Sequence, residues 1–432
     1  MEHSPLTDRL RRLSARGPNG WAIVGILGAY ILLATRGRSV PVGPGVAYWQ
    51  AWITLVAAAA LVASLASRRL RPAAPWLRPV EAAAILALAA MVLTDLNQAY
   101  QPLRDLNIYL KAGQHFTAGT PVYLAAPMTA PPADLTNYPF VYPPLTLPLF
   151  AALSLLPVPV AQALWVGCSL GLALLAFRII GLPPRWLVFV ALWTPLFQGL
   201  WVGNVAVPAL ALYAVGPWLG SGLVAGAIFK SYTGILALWL VRERRWWQLA
   251  SGVAACAVLA LLTLPLVGAG AWQAWIEALR LYQVSEQNVK GLYGFGSLKF
   301  MPLWAYVVLA VVAVLAALRT PGREGLARLG MATIVASPSL WGHGLLMAAP
   351  SMLSLRALWL WLVIGITSTP DGVQWWWAIG LIVASWVIPG LRRPAAAAAG
   401  TTEGDAGDAR NADEQLHPLA AGVAPWPEAD LG

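Results

Sequence analysis

The chain has 432 residues, 59% of them hydrophobic and only 11% charged, with a mean hydropathy of +0.66. A water-soluble globule of this length does not carry such a balance, so the solvent for most of the chain is a bilayer. The formal charge of +10 is scattered over segment ends and forms no continuous stripe, so it is not a nucleic-acid signal.

Segment 1–19 is basic, with Arg9, Arg11, Arg12 and Arg16. It precedes an apolar run without a convincing small-residue cleavage site, and reads as the cytoplasmic end of an uncleaved anchor. Apolar stretches near the ~20 residues needed for a crossing follow. They lie at about 20–35, 47–66, 79–95, 144–157, 160–179, 186–201, 204–218, 221–241, 247–266, 301–318, 326–340, 344–355, 357–369 and 374–390. The reading is an all-α polytopic integral membrane protein of roughly 12–14 transmembrane helices, with a transmembrane domain over 20–393. The stretches 144–157 and 344–355 are short for a crossing and read as tilted, re-entrant or broken helices. The tryptophans suit interfacial belts. Cys168 and Cys256 lie in apolar runs and read as small core residues rather than a disulfide.

If the N-terminus is cytoplasmic and every stretch crosses, most arginine clusters fall on the cytoplasmic side: Arg68 to Arg78, Arg242 to Arg245, Arg319 to Arg328, Arg356, and Arg392 with Arg393. Arg36, Arg38, Arg178 and Arg185 dissent. This orientation puts the loops at about 96–143 and 267–300 outside, together with the Ser337–His343 turn. The polar and aromatic connections thus gather on the extracytoplasmic face. Segment 394–432 holds an alanine run, then Gly, Asp, Glu and Pro, and reads as a disordered cytoplasmic tail.

The first external loop is the richest in chemistry. Asp105 and Tyr109 stand four apart, on one face if the run is helical. Gly119, Val122-Tyr123 and Phe140-Val141-Tyr142-Pro143-Pro144 follow. From the residues alone, both a helix-end charge and a functional carboxylate stand for Asp105; a carboxylate at a membrane cleft suits a general base. Asp95 reads as a helix-end charge or N-cap, and His115 as a surface residue. His343 could orient a hydroxyl, share a proton or meet a phosphate, or be an interfacial histidine with a wet edge. Lys230 lies within a predicted span, where a lone lysine is functional or paired. Arg280, Lys290 and Lys299 in the second loop could reach a phosphate or be plain surface charges.

No Asp-x-Asp pair, His-x-x-x-His or acid cluster predicts a metal cage, so no tightly bound cofactor is expected, and a divalent cation is possible without being indicated. No Walker loop or dinucleotide fingerprint is present either. An activated sugar bound from outside would therefore arrive on a lipid.

In these elements the chain resembles glycosyltransferase family 87 of the GT-C superfamily. The similarity lies in Asp105-Leu-Asn-Ile-Tyr109, Gly119, Val122-Tyr123 and Phe140–Pro144 running into Leu145–Pro148. It continues in Gly203-Asn204, in Lys230 with the basic Arg242–Trp246 end, in Asn288, and in Ser337-Pro338 with Trp341 and His343. Ser231 follows Lys230 where the family commonly has proline. The resemblance implies a GT-C-like bundle with extracytoplasmic active-site loops in the plasma membrane. It implies inverting transfer of a hexose, mannose first, from a polyprenyl-phosphate sugar donor to a glycolipid or glycan acceptor. Asp105 would be the base and His343 a second catalytic residue. Lys230, with Arg280, Lys290 or Lys299, would meet the phosphate. Tyr109, Tyr142, Asn204, Asn288 and Trp341 would bind acceptor or sugar, and aromatic loops around Tyr142 and Tyr293 would exclude water. The rival reading is a lipid-linked-sugar flippase or another transporter, which would also be polytopic, basic and aromatic.

Overall fold

The computed structural model describes residues 101–182, 193–289, 292, 294–355, 357–367 and 372–392, and among them every regular element is helical. The spans read at 20–35, 47–66 and 79–95, the 1–19 and 394–432 segments, Asp95, Arg185, Lys290 and Tyr293 lie outside the described residues. The chain divides into two compact units. The larger, Leu96–Ile180 with Pro195–Ser351, holds every described candidate residue.

The first described helix of that unit is α1, Arg104–Thr117, which meets the condition under which Asp105 and Tyr109 share a face. Leu106, Tyr109, Leu110 and Gly113 recur at three- and four-residue intervals and form its buried face. Asp105 in the first turn and His115 in the last suit the ends of the helix dipole. The buried face packs on α2, Leu147–Ser154, which follows a 3-10 turn at Pro144–Thr146. Gly113 permits the contact, because any Cβ there would overlap the backbone of Phe150. Leu106, Tyr109, Phe140, Leu147, Phe150 and Val205 form one core cluster.

Next come α3 (Val158–Ile180), α4 (Thr194–Trp201), α5 (Ala206–Val215) and α6 (Ser221–Phe229). The stretch read as one span over 221–241 is broken. Lys230 is extended, with φ −142° and ψ 105°, and the chain resumes as a 3-10 turn at Ser231–Ala237 and α7, Leu238–Arg242. Thr233 caps the break, donating from its hydroxyl and its N–H to the carbonyl of Lys230 at 2.7 and 2.9 Å. Then follow α8 (Trp246–Val267), α9 (Ala269–Asn288), α10 (Leu303–Leu318) and α11 (Gly322–Val335). The 344–355 stretch is also irregular, a 3-10 turn at Gly342–Ala348 continued by one helical turn.

Two of these helices, α3 and α8, are long and apolar enough to cross a membrane. Only 28% and 11% of their apolar windows are buried in the protein, the reverse of a soluble core helix. Leu261, Leu262 and Leu266 on α8 and Leu164, Leu170 and Leu174 on α3 face outward.

The predicted loops are pinned to one another. Met128 N–H donates to Ser285 Oγ at 2.8 Å, Asn288 Nδ2 to the Met128 carbonyl at 3.1 Å, and Trp275 Nε1 to the Val141 carbonyl at 3.0 Å. Further on, Phe295 N–H donates to the Leu340 carbonyl at 2.8 Å. The first loop, α9 and the 337–343 turn thus form one continuous structure. In the smaller unit, α12 (Ala357–Thr367) packs on α13 (Gly372–Ala384), and Trp193 Nε1 donates to Thr367 Oγ1 at 2.9 Å.

Candidate active site

The position of Asp105 is set by the backbone around it. Leu103, at a left-handed φ of 53°, donates its N–H to the Trp201 carbonyl at 2.7 Å. The N–H groups of Asp105 and Leu106 reach the Val202 carbonyl at 2.9 and 3.2 Å. The orphan donors opening α1 are therefore closed by carbonyls at the end of α4. Gly203 makes this approach possible: its φ is +70°, and a Cβ would stand 2.8 Å from that of Leu106. Its carbonyl accepts from Trp165 Nε1 at 2.8 Å.

The next residue, Asn204, is thereby set against the carboxylate. Its Oδ1 accepts from the Ala206 N–H at 2.8 Å, which fixes the amide, and its Nδ2 donates to Asp105 Oδ2 at 2.5 Å. Arg104 holds the other oxygen, with Nε and Nη2 each 2.8 Å from Oδ1. Oδ1 thus has both lone pairs engaged and Oδ2 has one, so one acceptor position on the carboxylate is left among these contacts. Asp105 itself is 6% exposed.

Tyr109, one turn along α1, is buried with its hydroxyl 2.9 Å from that of Tyr142. Its ring lies edge-on to Tyr142 at 5.1 Å between centroids. Burial raises both phenols above their usual range, so both stay neutral at ordinary pH. Tyr123 donates to the Tyr142 carbonyl at 3.1 Å and holds the Phe140–Pro144 element against this cluster.

His343 closes the site from the late turn. Its backbone N–H donates to Gln198 Oε1 at 2.9 Å. Its ring is buried, and Nδ1 has no hydrogen-bond partner. Burial, reinforced by the Lys230 and Arg104 cations, holds the imidazole well below its usual 6.5, so it is neutral. Lys230, freed from helical geometry by the break, places its ammonium 5.6 Å from the Tyr232 ring centroid and within electrostatic reach of Tyr142 and Asp105. Arg104 lies 5.9 Å from the Trp341 ring centroid.

The structure therefore brings Asp105, Tyr109, Tyr142, Asn204, Lys230, Trp341 and His343 together. It does not bring in the others that it describes. Arg280 is exposed, 3.5 Å from Glu277. Lys299 is exposed, 4.4 Å from the Phe295 ring centroid. Asn288 ties α9 to Met128. A cavity of about 630 Å³ is lined by Val122, Tyr123, Leu147, Leu266 and Glu277, and neither Asp105, Lys230 nor His343 lines it. Among the described residues no three His, Cys, Asp or Glu side chains gather.

Sequence reasoning missed Arg104, Gln198 and Tyr232. Gln198 carried a usable signal, a lone amide in an apolar run. Arg104 did not, because consecutive helical side chains ordinarily diverge.

No curated protein and no solved structure matches the chain. The profile of glycosyltransferase family 87 matches residues 140–340. That stretch contains the Phe140–Pro144 element, Gly203-Asn204, Lys230 and Ser337-Pro338, while Asp105 and His343 lie outside it. Over residues 140–340 the chain is thus similar to glycosyltransferase family 87, a match that supports a glycosyltransferase.

Proposed function

We propose that the protein is a multi-pass enzyme of the plasma membrane that moves a hexose, mannose first, from a polyprenyl-phosphate donor to a glycolipid or glycan acceptor on the extracytoplasmic face, with inversion. The observation that carries this reading is one buried carboxylate, with one acceptor position left, beside two cations and a neutral imidazole.

Inversion needs little more. The acceptor hydroxyl approaches the sugar from the face opposite the phosphate and gives its proton to Asp105. Asn204 and Arg104 hold the carboxylate in one orientation, so its remaining lone pair on Oδ2 points in a fixed direction. The phosphate leaves with growing negative charge, and Lys230 supplies the nearby positive charge. Neutral His343 can donate or accept a hydrogen bond at that end. Tyr109 and Tyr142 line the acceptor side as neutral hydroxyls, and Trp341 offers a flat ring to a sugar face. Glycosidases that invert use the same carboxylate logic with water as nucleophile. The GT-C plan and the lipid donor are supported by the family match, by outward-facing apolar helices and by polar elements joined around the site.

The test is Asp105→Asn. Asparagine has the same shape and its Oδ1 keeps the contact with Asn204, while its NH2 cannot accept from Arg104, so the melting temperature is measured beside turnover. Turnover with a polyprenyl-phosphate sugar is expected to fall by about 10²–10⁴-fold, the usual worth of one general base. Near-normal turnover in a folded variant would remove Asp105 from the chemistry.

A further inference from the structure

We propose that Arg104 is a shared cation, held by Asp105 before transfer and handed to the departing lipid phosphate as the reaction proceeds. The inference rests on the base and donor assigned above.

The geometry behind it is unusual for chain neighbours. Successive side chains on a helix point about 100° apart, yet two N–H groups of Arg104 end on the same oxygen of Asp105. The guanidinium also lies beside Trp341 and acts electrostatically on His343, as Lys230 does. It therefore stands at the join between the carboxylate and the turn that carries the imidazole. The buried, unpartnered Nδ1 of His343 adds an unmatched polar group beside the same two cations.

The charge balance of the transfer gives this placement its meaning. The bond between the anomeric carbon and the phosphate oxygen breaks, and its electron pair goes to the phosphate. The acceptor oxygen bonds to the same carbon, and its proton passes to Asp105. A phosphodiester of charge −1 becomes a monoester of charge −2, while the carboxylate goes from −1 to neutral. One negative charge thus moves from Asp105 to the phosphate. A guanidinium locked on Oδ1 would oppose that movement, whereas one that turns follows the charge and presents its two donors to phosphate oxygens. Lys230, lacking the fork, remains a fixed point charge.

The test measures binding rather than turnover, using farnesyl phosphate as a soluble product mimic in detergent. Calorimetry compares the full-length parent, Asp105→Asn, Arg104→Gln and the double variant. Asp105→Asn releases Arg104 and is expected to tighten binding on the order of tenfold, a typical coupling between sites. That gain should vanish when Arg104 is glutamine. If Arg104→Gln fails to fold, Arg104→Lys takes its place in the cycle, and the gain must shrink there too. Equal affinity in parent and Asp105→Asn, or a gain that survives in the double variant, overturns the sharing of Arg104 and leaves the donor assignment standing. Binding to neither the parent nor Asp105→Asn overturns the lipid-phosphate donor as well.

Discussion

Asp105 and His343, both buried and both acted on by Arg104, meet opposite demands. The carboxylate is wrapped by donors from Arg104 and Asn204, while the imidazole is desolvated and flanked by cations. The histidine's condition has a consequence for stability. Above about pH 6.5 it is neutral whether the chain is folded or not and adds no pH dependence. Below that value the unfolded chain takes up a proton that the folded one refuses, so stability falls as pH falls. The limiting slope for one such group is about 1.4 kcal/mol per pH unit. The melting temperature of the parent should therefore drop between pH 7.5 and 5.5 by more than that of His343→Asn. Identical profiles would mean that His343 is not held neutral. The two catalytic candidates were legible as residue types, an acid and a histidine in the polar connections between apolar stretches. The third partner, Arg104, was not, because its contact with Asp105 depends on a side-chain turn that spacing does not encode.

At the scale of elements, the junction between α1 and α4 sets the site. Its crux is Gly203, where a left-handed backbone and contact with Leu106 coincide. Gly203→Ala should cost about 1–3 kcal/mol, and because Asn204 would shift it should also lower turnover. Gly171, on the outward face of α3 with nothing within 4 Å of its Cβ position, is the control. There alanine should be neutral or stabilising by about 0.5–1 kcal/mol. Equal melting temperatures for the two variants would contradict the account of the junction. Several elements were readable in advance: α3, α8 and α10 from continuous hydropathy, and α1 only as a conditional helix within a predicted loop. The break at Lys230 was not. The run 221–241 is apolar on both sides of the lysine, and the cap comes from Thr233, three residues on. Likewise α9 was read as loop because its polar residues dilute the hydropathy, although it is a regular helix.

At the scale of the whole molecule, the outward apolar faces of α3, α8 and α10 ask for lipid. The proposed orientation places Asp134 outside and Arg244 inside. In a background lacking Cys168 and Cys256, cysteines introduced near Asp134 should react with an impermeant thiol reagent in intact cells, and ones near Arg244 should not. The reverse pattern would invert the topology and take the outer-face donor with it. That Lys111 Nζ lies 2.7 Å from Asn137 Oδ1 and 3.3 Å from Asp134 argues that this loop is structured, so labelling will report its side and not its local unfolding. The central claim is narrower: a glycosyl transfer fed by a lipid phosphate. It is tested most directly by the turnover of purified protein offered polyprenyl-phosphate mannose and GDP-mannose side by side with one glycolipid acceptor. The account predicts product from the lipid-linked sugar and none from the nucleotide sugar; product formed directly from GDP-mannose would contradict it.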